Sequence, residues 1–278
     1  MSILTNSSSK IAFIGAGNMA KAIIGGLLAE GFKRINVIAS GPRQESLDRV
    51  AAEFGINISI DNPVAASAAE VVVLAVKPQM LKEVCLGLAD SLGHKPLIIS
   101  LVAGITTESI GNWLGANHAI VRCMPNTPSQ LRVGASGLFA NEHVNPSQRS
   151  TANTILGAVG IVQWVSDEAL INPVTAVSGS GPAYFFLMME AMIDAGVELG
   201  LTRESATELT LQTALGAAIL AKQSDVDVAE LRRRVTSPKG TTEQAINSFE
   251  NDQIRAMVSR AMTACSNRAV QLSELLGK

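Results

Sequence analysis

The chain has 278 residues, with 22 Lys and Arg against 24 Asp and Glu, and therefore a net charge of −2. This balance, without any block of like charge, argues against nucleic acid or an anionic membrane surface as the main partner. A hydrophobic content of 47% excludes a disordered chain, and three widely spaced cysteines favour neither a disulfide framework nor a zinc cluster. The longest apolar stretch, around residues 184–201, is interrupted by Glu190, Asp194 and Glu198, so it does not resemble a membrane span. We therefore expect a cytoplasmic protein with no membrane segment and no metal site.

The chain up to residue 165 alternates short apolar runs with helical patterns. Continuous apolarity is typical of strands buried on both faces, as in a parallel sheet between helical layers. The apolar runs are residues 11–14, 35–39, 71–76, 97–101, 119–121 and 161–165. We predict a doubly wound α/β domain of the dinucleotide-binding type over residues 1–165.

From residue 166 to residue 278 the strand signals stop, which predicts an all-α second domain. Thr202 and Asp227 stand where helix N-caps are expected, and Thr241 with Gln244 three residues later predicts a capping box.

Two helices of this second domain, predicted over residues 182–199 and 204–221, are apolar around most of their circumference. A helix of that kind must be surrounded by other apolar surface. We predict that these helices pack against a second copy of the chain, with a self-contained helical bundle as the alternative.

The first βα turn carries the pattern G-x-G-x-x-A, which directly follows the first predicted strand and opens a helix. The first glycine permits a tight turn, the second lets a pyrophosphate approach the backbone, and the small last residue lets the helix pack on the strand. Gly-rich turns are common, but the position after a strand and before a helix favours dinucleotide binding. The predicted cofactor residues of this turn are Gly15, Gly17, Asn18, Met19 and Ala20.

The end of the second predicted strand bears on the choice of dinucleotide. An Asp or Glu there would bind the ribose 2′-hydroxyl of NAD, whereas this chain has Ser40 and, three residues later, Arg43. A hydroxyl and a cation suit a 2′-phosphate, so we predict NADPH as the preferred cofactor, with NADH as the alternative. Arg43 as an ordinary solvated cation is the other interpretation.

Further turns follow other predicted strands, at the edge where open α/β sheets bind ligands. Lys77 is interpreted either as a cofactor contact or as a surface cation, and the small Ala103 and Gly104 would let a nicotinamide lie close to the backbone. Residues 122–128 contain two prolines, which predict a rigid loop that includes Asn126 and forms a wall of the nicotinamide pocket. A plain structural turn is the alternative, and nothing in the sequence supports Cys123 as a nucleophile.

Residues 235–243 of the second half combine a flexible turn with a helix start. The N–H groups of Gly240, Thr241 and Thr242 can converge on an anion, while hydroxyl groups remain available. A small carboxylate would bind there, although a phosphate or an ordinary capped helix would fit the same pattern. Residues 178–184 are interpreted chiefly as a tight helix start.

A general acid for ketone reduction is missing from the predicted long helix. Residues 182–201 contain no Lys, Arg or His, and the three histidines, His94, His118 and His143, fall in predicted loops where we expect them to be solvated. A ketone needs a positioned acid near its carbonyl, whereas an imine is already basic and can take its proton from water. The pattern favours an imine as the substrate.

Five motifs in this order resemble those of pyrroline-5-carboxylate reductases, and the resemblance covers essentially the whole chain. They span residues 15–20, 74–79, 122–128, 176–184 and 235–242. The resemblance implies that NAD(P)H delivers hydride to the C=N carbon of 1-pyrroline-5-carboxylate to give L-proline, the last step of proline biosynthesis. It also implies a Rossmann domain followed by a helical dimerisation domain, with dimers that assemble into larger rings.

The resemblance also implies roles for residues of the second domain. Gly240 and Thr241 would offer backbone N–H groups to the substrate carboxylate with Ser237 nearby, the Thr242 hydroxyl would bond the ring nitrogen, and Asp225 would lie near the site. Lys239 stands where many members of that family have glycine. The rival interpretations are a reductase of another small imino or keto acid, and a nucleotide-binding regulatory or assembly protein without turnover.

Overall fold

The computed structural model of the chain describes residues 9–115 and 117–277. Over these residues it contains an eight-stranded sheet in the order β3-β2-β1-β4-β5-β6-β7-β8. All neighbouring strands are parallel except β6 and β7, which are antiparallel. The strands are β1 (Ile11–Ile14), β2 (Val37–Ser40), β3 (Asn57–Ser59), β4 (Val71–Leu74), β5 (Leu97–Ser100), β6 (Ile120–Met124), β7 (Gly134–Ala140) and β8 (Gly160–Trp164).

Helices cover the sheet and then form the second half of the chain. They are α1 (Asn18–Ala29), α2 (Gln44–Phe54), α3 (Asn62–Ser67), α4 (Pro78–Leu88), α5 (Thr107–Leu114), α6 (Pro146–Gly157), α7 (Ile171–Val174), α8 (Gly181–Glu198), α9 (Arg203–Gln223), α10 (Val228–Arg234), α11 (Thr241–Asn251) and α12 (Ile254–Leu276). Short 3₁₀ turns include Thr127–Leu131 and Glu168–Leu170, and a π-helical turn spans Thr175–Gly179. None of the helices in the described residues is long and apolar enough to cross a membrane.

The sheet is buried on both faces, as the continuous apolar runs predicted. In β1, Ile11 and Phe13 belong to one apolar cluster, whereas Ala12 and Ile14 belong to a second cluster on the opposite face. Alternate residues of a strand point to opposite faces, so four apolar residues in a row supply both layers of the core. The predicted fold class, a doubly wound α/β domain followed by helices, is confirmed.

Residue contacts divide the chain into two compact units. The first, here called the sheet unit, runs to Ser180 and includes Cys265 and the residues after it, whereas the second, the helical unit, spans Gly181–Ala264. The division predicted from the sequence, after residue 165, remains a prediction.

The helical unit has almost no core of its own in a single chain. Its helices include the two predicted apolar ones, found as α8 and α9, and they bury only Gly181, Ala206 and Thr210. Large apolar side chains remain exposed, among them Phe185 at 68% and Leu199 at 88%. Thr202 and Asp227 cap α9 and α10 through their side chains, as predicted.

Candidate active site

The turn between β1 and α1 has the geometry that its two glycines predicted. Gly15 has a φ of +101°, and a Cβ added to it would lie 2.5 Å from the carbonyl oxygen of Ala75. Gly17, the N-cap of α1, has a φ of −77°, and a Cβ there would meet no atom within 4 Å. Gly15 is therefore required by the protein's own packing, whereas the bare backbone at Gly17 leaves room for a ligand.

The cofactor residues predicted after β1 and β4 come together around one cavity. The cavity has a volume of about 240 Å³, and its lining residues include Gly17, Asn18, Met19, Ala20 and Lys77. Ala20 is fully buried against the core, and Lys77, the N-cap of α4, is exposed. The amide groups at the start of α1 have no acceptor within the helix, so they can bind an anion at this edge of the sheet.

Ser40, at the end of β2, and Arg43, just after it, differ in their exposure to solvent. Ser40 is fully buried, and its hydroxyl donates a 2.6 Å hydrogen bond to the Oδ1 atom of Asn62. Arg43, the N-cap of α2, is exposed. Asn62 was not identified from the sequence as the partner of Ser40. The one sequence feature that marks Asn62 is its position in the helix start Asp61-Asn62-Pro63 after β3.

The turn after β5 is covered on one side by the last helix. Gly104 has a φ of +73° and is buried, and a Cβ added there would lie 3.2 Å from the Cβ atom of Leu272 in α12. Ala103 is exposed. Gly104 thus has a packing role within the sheet unit, and Ala103 presents the open side of the turn.

Residues 122–128 contact the π-helical turn. Two motifs that are separate in the sequence thus come together inside the sheet unit. Asn126 donates to the carbonyl oxygen of Ser178 at 3.0 Å and accepts from the backbone N–H of Ala135 at 2.8 Å. A Cβ on Gly179 would lie 2.5 Å from the methyl carbon of Met124. The amide side chain of Asn126 is therefore engaged within the protein, and its backbone carbonyl oxygen accepts from the backbone N–H of Ser129 at 3.1 Å.

A buried ion pair adjoins this loop, and sequence reasoning gave it no role. Arg122 in β6, with its side chain only 5% exposed, donates to the Oε1 atom of Glu168 at 3.0 Å. The same carboxylate accepts two hydrogen bonds from Thr107, the first residue of α5.

The loop between α10 and α11 differs from the predicted capping box. The N-cap of α11 is Gly240, and the carboxylate that reaches back is that of Glu243, whose Oε2 atom accepts from the N–H of Lys239 at 2.8 Å. The predicted pair of Thr241 and Gln244 is wrong because the helix begins at Thr241, one residue earlier than a Thr241 cap requires. Lys239 has a φ of +60°, which explains why glycine suits this position.

The predicted substrate residues are all exposed or half-buried at the two loops that flank α10. Gly240 uses its N–H in the turn, donating to the carbonyl oxygen of Ser237 at 3.0 Å, so the prediction that this N–H faces an anion is not supported. Thr241 and Thr242 are exposed in the first turn of α11, where backbone N–H groups lack acceptors within the helix. Asp225 is exposed in the loop between α9 and α10.

The arginines that end α10 are all engaged in ion pairs. Arg233 and Arg234 bind Glu230, and their hydrogen bonds lower the pKa of that exposed carboxyl to about 2. Arg232 binds Glu250 at 3.2 Å. These three cations therefore already have carboxylate partners, while the first-turn N–H groups of α11 can still hold an anion.

Two buried cysteines of the sheet unit, Cys85 and Cys123, are unsuited to act as nucleophiles. Burial raises the pKa of the Cys123 thiol above its ordinary value, and burial raises that of Cys85 to about 12. His118 is only 5% exposed, so the prediction that it is solvated is wrong; burial lowers its pKa. His94 and His143 are exposed, as predicted. Within the described residues, no three His, Cys, Asp or Glu side chains are grouped so as to hold a metal ion.

Comparisons with known proteins identify the family. Residues 168–272 match the family model described as pyrroline-5-carboxylate reductase dimerisation, and residues 10–104 match one described as NADP oxidoreductase, coenzyme F420-dependent. The chain is 55% identical to a pyrroline-5-carboxylate reductase of Pseudomonas aeruginosa, over 98% of this chain and 100% of the relative. The chain belongs to the pyrroline-5-carboxylate reductase family.

Solved structures agree with this assignment. A pyrroline-5-carboxylate reductase from Coxiella burnetii superposes with a TM-score of 0.93 at 49% identity, covering 96% of this chain and 99% of that one. The Plasmodium falciparum enzyme with NADP bound superposes with a TM-score of 0.85 at 30% identity, covering 96% and 98%. The predicted family and activity are confirmed: the chain is an NAD(P)H-dependent oxidoreductase that acts on a C=N bond in proline biosynthesis. The match to a dimerisation model also makes it a homo-oligomer.

Proposed function

We propose that the chain reduces 1-pyrroline-5-carboxylate to L-proline with NADPH as its preferred hydride donor, and that the residues described above do this work. The observation that carries the proposal is the start of α11, where the exposed hydroxyl of Thr242 stands beside first-turn N–H groups. That combination suits a small molecule with a carboxylate next to a ring nitrogen.

The sheet unit fits a dinucleotide. The first turn would hold the pyrophosphate, since Gly17 has open space where a side chain would stand and Gly15 permits the tight turn. Arg43 would pair with a 2′-phosphate, without the predicted help of the Ser40 hydroxyl, which is buried against Asn62. Lys77, Ala103, Gly104 and Asn126 would line the nicotinamide side. When bound, the nicotinamide supplies the hydride.

The helical unit would hold the substrate. The N–H groups of Thr241 and Thr242 would bind the carboxylate at the positive end of α11, with Gly240 and Ser237 shaping the turn. The Thr242 hydroxyl would hydrogen-bond the ring nitrogen, and Asp225 would lie near the protonated ring. Catalysis then consists mainly of positioning and preorganised electrostatics, and the imine nitrogen takes its proton from water.

Thr242→Ala tests this assignment. The variant should lower the turnover of 1-pyrroline-5-carboxylate by roughly ten- to a hundredfold, because it loses one hydrogen bond to a polar group. Thr242→Ser keeps the hydroxyl and serves as the matched control. The measurement is the loss of NADPH absorbance after addition of the substrate. An unchanged rate in Thr242→Ala, with the fold intact by circular dichroism, would remove Thr242 from the mechanism.

We propose further that the homo-oligomer is a dimer formed through the helical unit, and that dimers assemble into a larger ring. The exposed apolar side chains of α8 and α9 support this, since an isolated chain would leave them in water. Light scattering at micromolar concentration measures the mass, and a monomer would contradict the proposal. A cytoplasmic location stays a prediction from the sequence.

A further inference from the structure

One partly buried carboxylate joins three segments of the sheet unit. Glu168 accepts from the N–H of Thr107 at 2.8 Å, from the Thr107 hydroxyl at 2.7 Å and from the Arg122 guanidinium at 3.0 Å. The Arg122 side chain is 5% exposed and the Glu168 side chain 19% exposed. We name this group of Thr107, Arg122 and Glu168 the Glu168 clamp.

Each segment held by the clamp continues into a part of the proposed nicotinamide side. Thr107 begins α5, three residues after the turn at Gly104. Arg122 lies in β6, directly before the loop that contains Asn126. Glu168 precedes α7 and the π-helical turn, whose residue Ser178 accepts the hydrogen bond from Asn126. Two of these segments, the loop after β6 and the π-helical turn, thus meet a second time through the bond between Asn126 and Ser178.

At this position in the core, an ion pair costs more desolvation free energy than an apolar residue would. Ile98 and Ile120 belong to the buried apolar cluster of the strands that pair at Arg122, and an apolar residue of similar size would avoid the cost of taking two charges out of water. The pair does, however, fix its partners in direction as well as in distance, because a carboxylate binds its donors along defined lone-pair directions. The clamp therefore supplies orientation that apolar packing would not.

We infer that Glu168 is a positioning residue for hydride transfer: the clamp holds the turn after β5, the loop after β6 and the π-helical turn in the arrangement that orients the nicotinamide. The inference rests on the proposed function, in which none of the three residues touches the reacting atoms. It predicts that loss of the clamp slows the chemical step more than it weakens cofactor binding, because the pyrophosphate and 2′-phosphate contacts lie elsewhere.

The test compares Glu168→Gln with Glu108→Gln, a control that removes an exposed carboxylate from the first turn of α5, the helix that Thr107 begins. For Glu168→Gln we expect kcat to fall by about ten- to a hundredfold, as for a small misplacement of reacting groups, while the KM for NADPH stays within about twofold. The isotope effect on kcat with deuterated NADPH should rise, because hydride transfer becomes more rate-limiting. Glu108→Gln should match the wild type in all three measurements.

A purely structural role would give a different result. If Glu168→Gln only lowers the melting temperature, with kcat per folded molecule and the isotope effect unchanged, the inference is overturned. Should this variant fail to fold, Thr107→Val and Thr107→Ser decide with the same readouts. The Val variant should show the lower kcat and the larger isotope effect, and the Ser variant, which keeps both hydrogen bonds, should not; identical behaviour of the two overturns the inference.

The fluorescence of bound NADPH separates this inference from the proposed function. If the wild type binds NADPH but does not reduce 1-pyrroline-5-carboxylate, the proposed function fails. A shifted emission of bound NADPH in Glu168→Gln would then still support the clamp, since it reports a changed nicotinamide environment. An emission identical to that of the wild type would overturn it.

Discussion

The two glycines of the first turn should respond differently to the same substitution. In Gly15→Ala the new Cβ would lie 2.5 Å from the carbonyl oxygen of Ala75 at a φ of +101°. Neither strand can easily move away, since the N–H of Gly15 donates to Ser40 and the N–H of Ala75 donates to Ile14, both at 2.8 Å. The left-handed backbone costs about 1–2 kcal/mol and overpacking about 1–3 kcal/mol, so we expect a loss of about 2–5 kcal/mol.

Gly17→Ala should leave stability nearly intact and weaken the cofactor instead. Its φ of −77° suits any residue and its Cβ meets no atom, so the expected cost is the replacement of one N-cap residue, about 1 kcal/mol or less. The added methyl group would occupy the space that a pyrophosphate needs. We expect the Kd for NADPH to rise by about ten- to a hundredfold, which is about 1.4–2.7 kcal/mol.

Thermal unfolding and titration of NADPH fluorescence measure the two effects on the same samples. Gly15→Ala should lower the melting temperature by several degrees, and Gly17→Ala by clearly less. The reasoning is refuted if Gly15→Ala melts like the wild type, or if Gly17→Ala binds NADPH with unchanged affinity.

Two further predictions concern charged groups of the sheet unit. Arg43→Ala should lower kcat/KM for NADPH by about ten- to a hundredfold, the size expected for a lost charge-assisted hydrogen bond. It should leave kcat/KM for NADH unchanged. Equal losses with both cofactors would contradict a contact between Arg43 and the 2′-phosphate. His118 has a pKa lowered by burial, so below its ordinary value of 6.5 the unfolded chain binds a proton that the folded chain does not. The free energy of unfolding, measured by urea titration, should therefore fall as the pH drops from about 7.5 to about 5.5. This fall should be smaller in His118→Gln than in the exposed control His143→Gln. An equal dependence of the free energy of unfolding on pH in the two variants would exclude His118 as the cause.

The strands could be predicted where burial leaves a direct mark on the sequence. β1, β4 and β5 consist mainly of large apolar residues, and each was predicted. β3 is three residues long and partly exposed, with the sequence Asn-Ile-Ser, and β7 is rich in glycine and alanine, so both were missed. These two strands form by pairing with a neighbour, and that contribution lies in the partner strand rather than in their own composition.

At the candidate site the sequence predicted backbone geometry better than side-chain environment. The need for glycine at position 15 follows from the local motif, and the structure shows its reason. The burial of Ser40 depends on Asn62, which is 22 residues further along the chain, and a local pattern carries no sign of it. The start of α11 was misplaced because a cap pattern fits two positions one residue apart, and the extended backbone of Gly240, with a ψ of 172°, identifies it as the N-cap. A local sequence pattern therefore does not indicate long-range side-chain partners or which of two adjacent residues is the N-cap.

The apolar composition of the helical unit makes physical sense only in an assembly of several copies of the chain. Phe185, Phe186 and Leu187 are 68%, 62% and 67% exposed in a single chain. Successive residues of an α-helix point about 100° apart, so three in a row extend over more than half of the circumference of α8. A single flat neighbour covers only one stripe of a helix, and burying all three therefore requires apolar surface from more than one direction. Further copies of the chain can supply that surface, and the stability of the helical unit, which carries Thr241 and Thr242, then depends on the concentration of protomers.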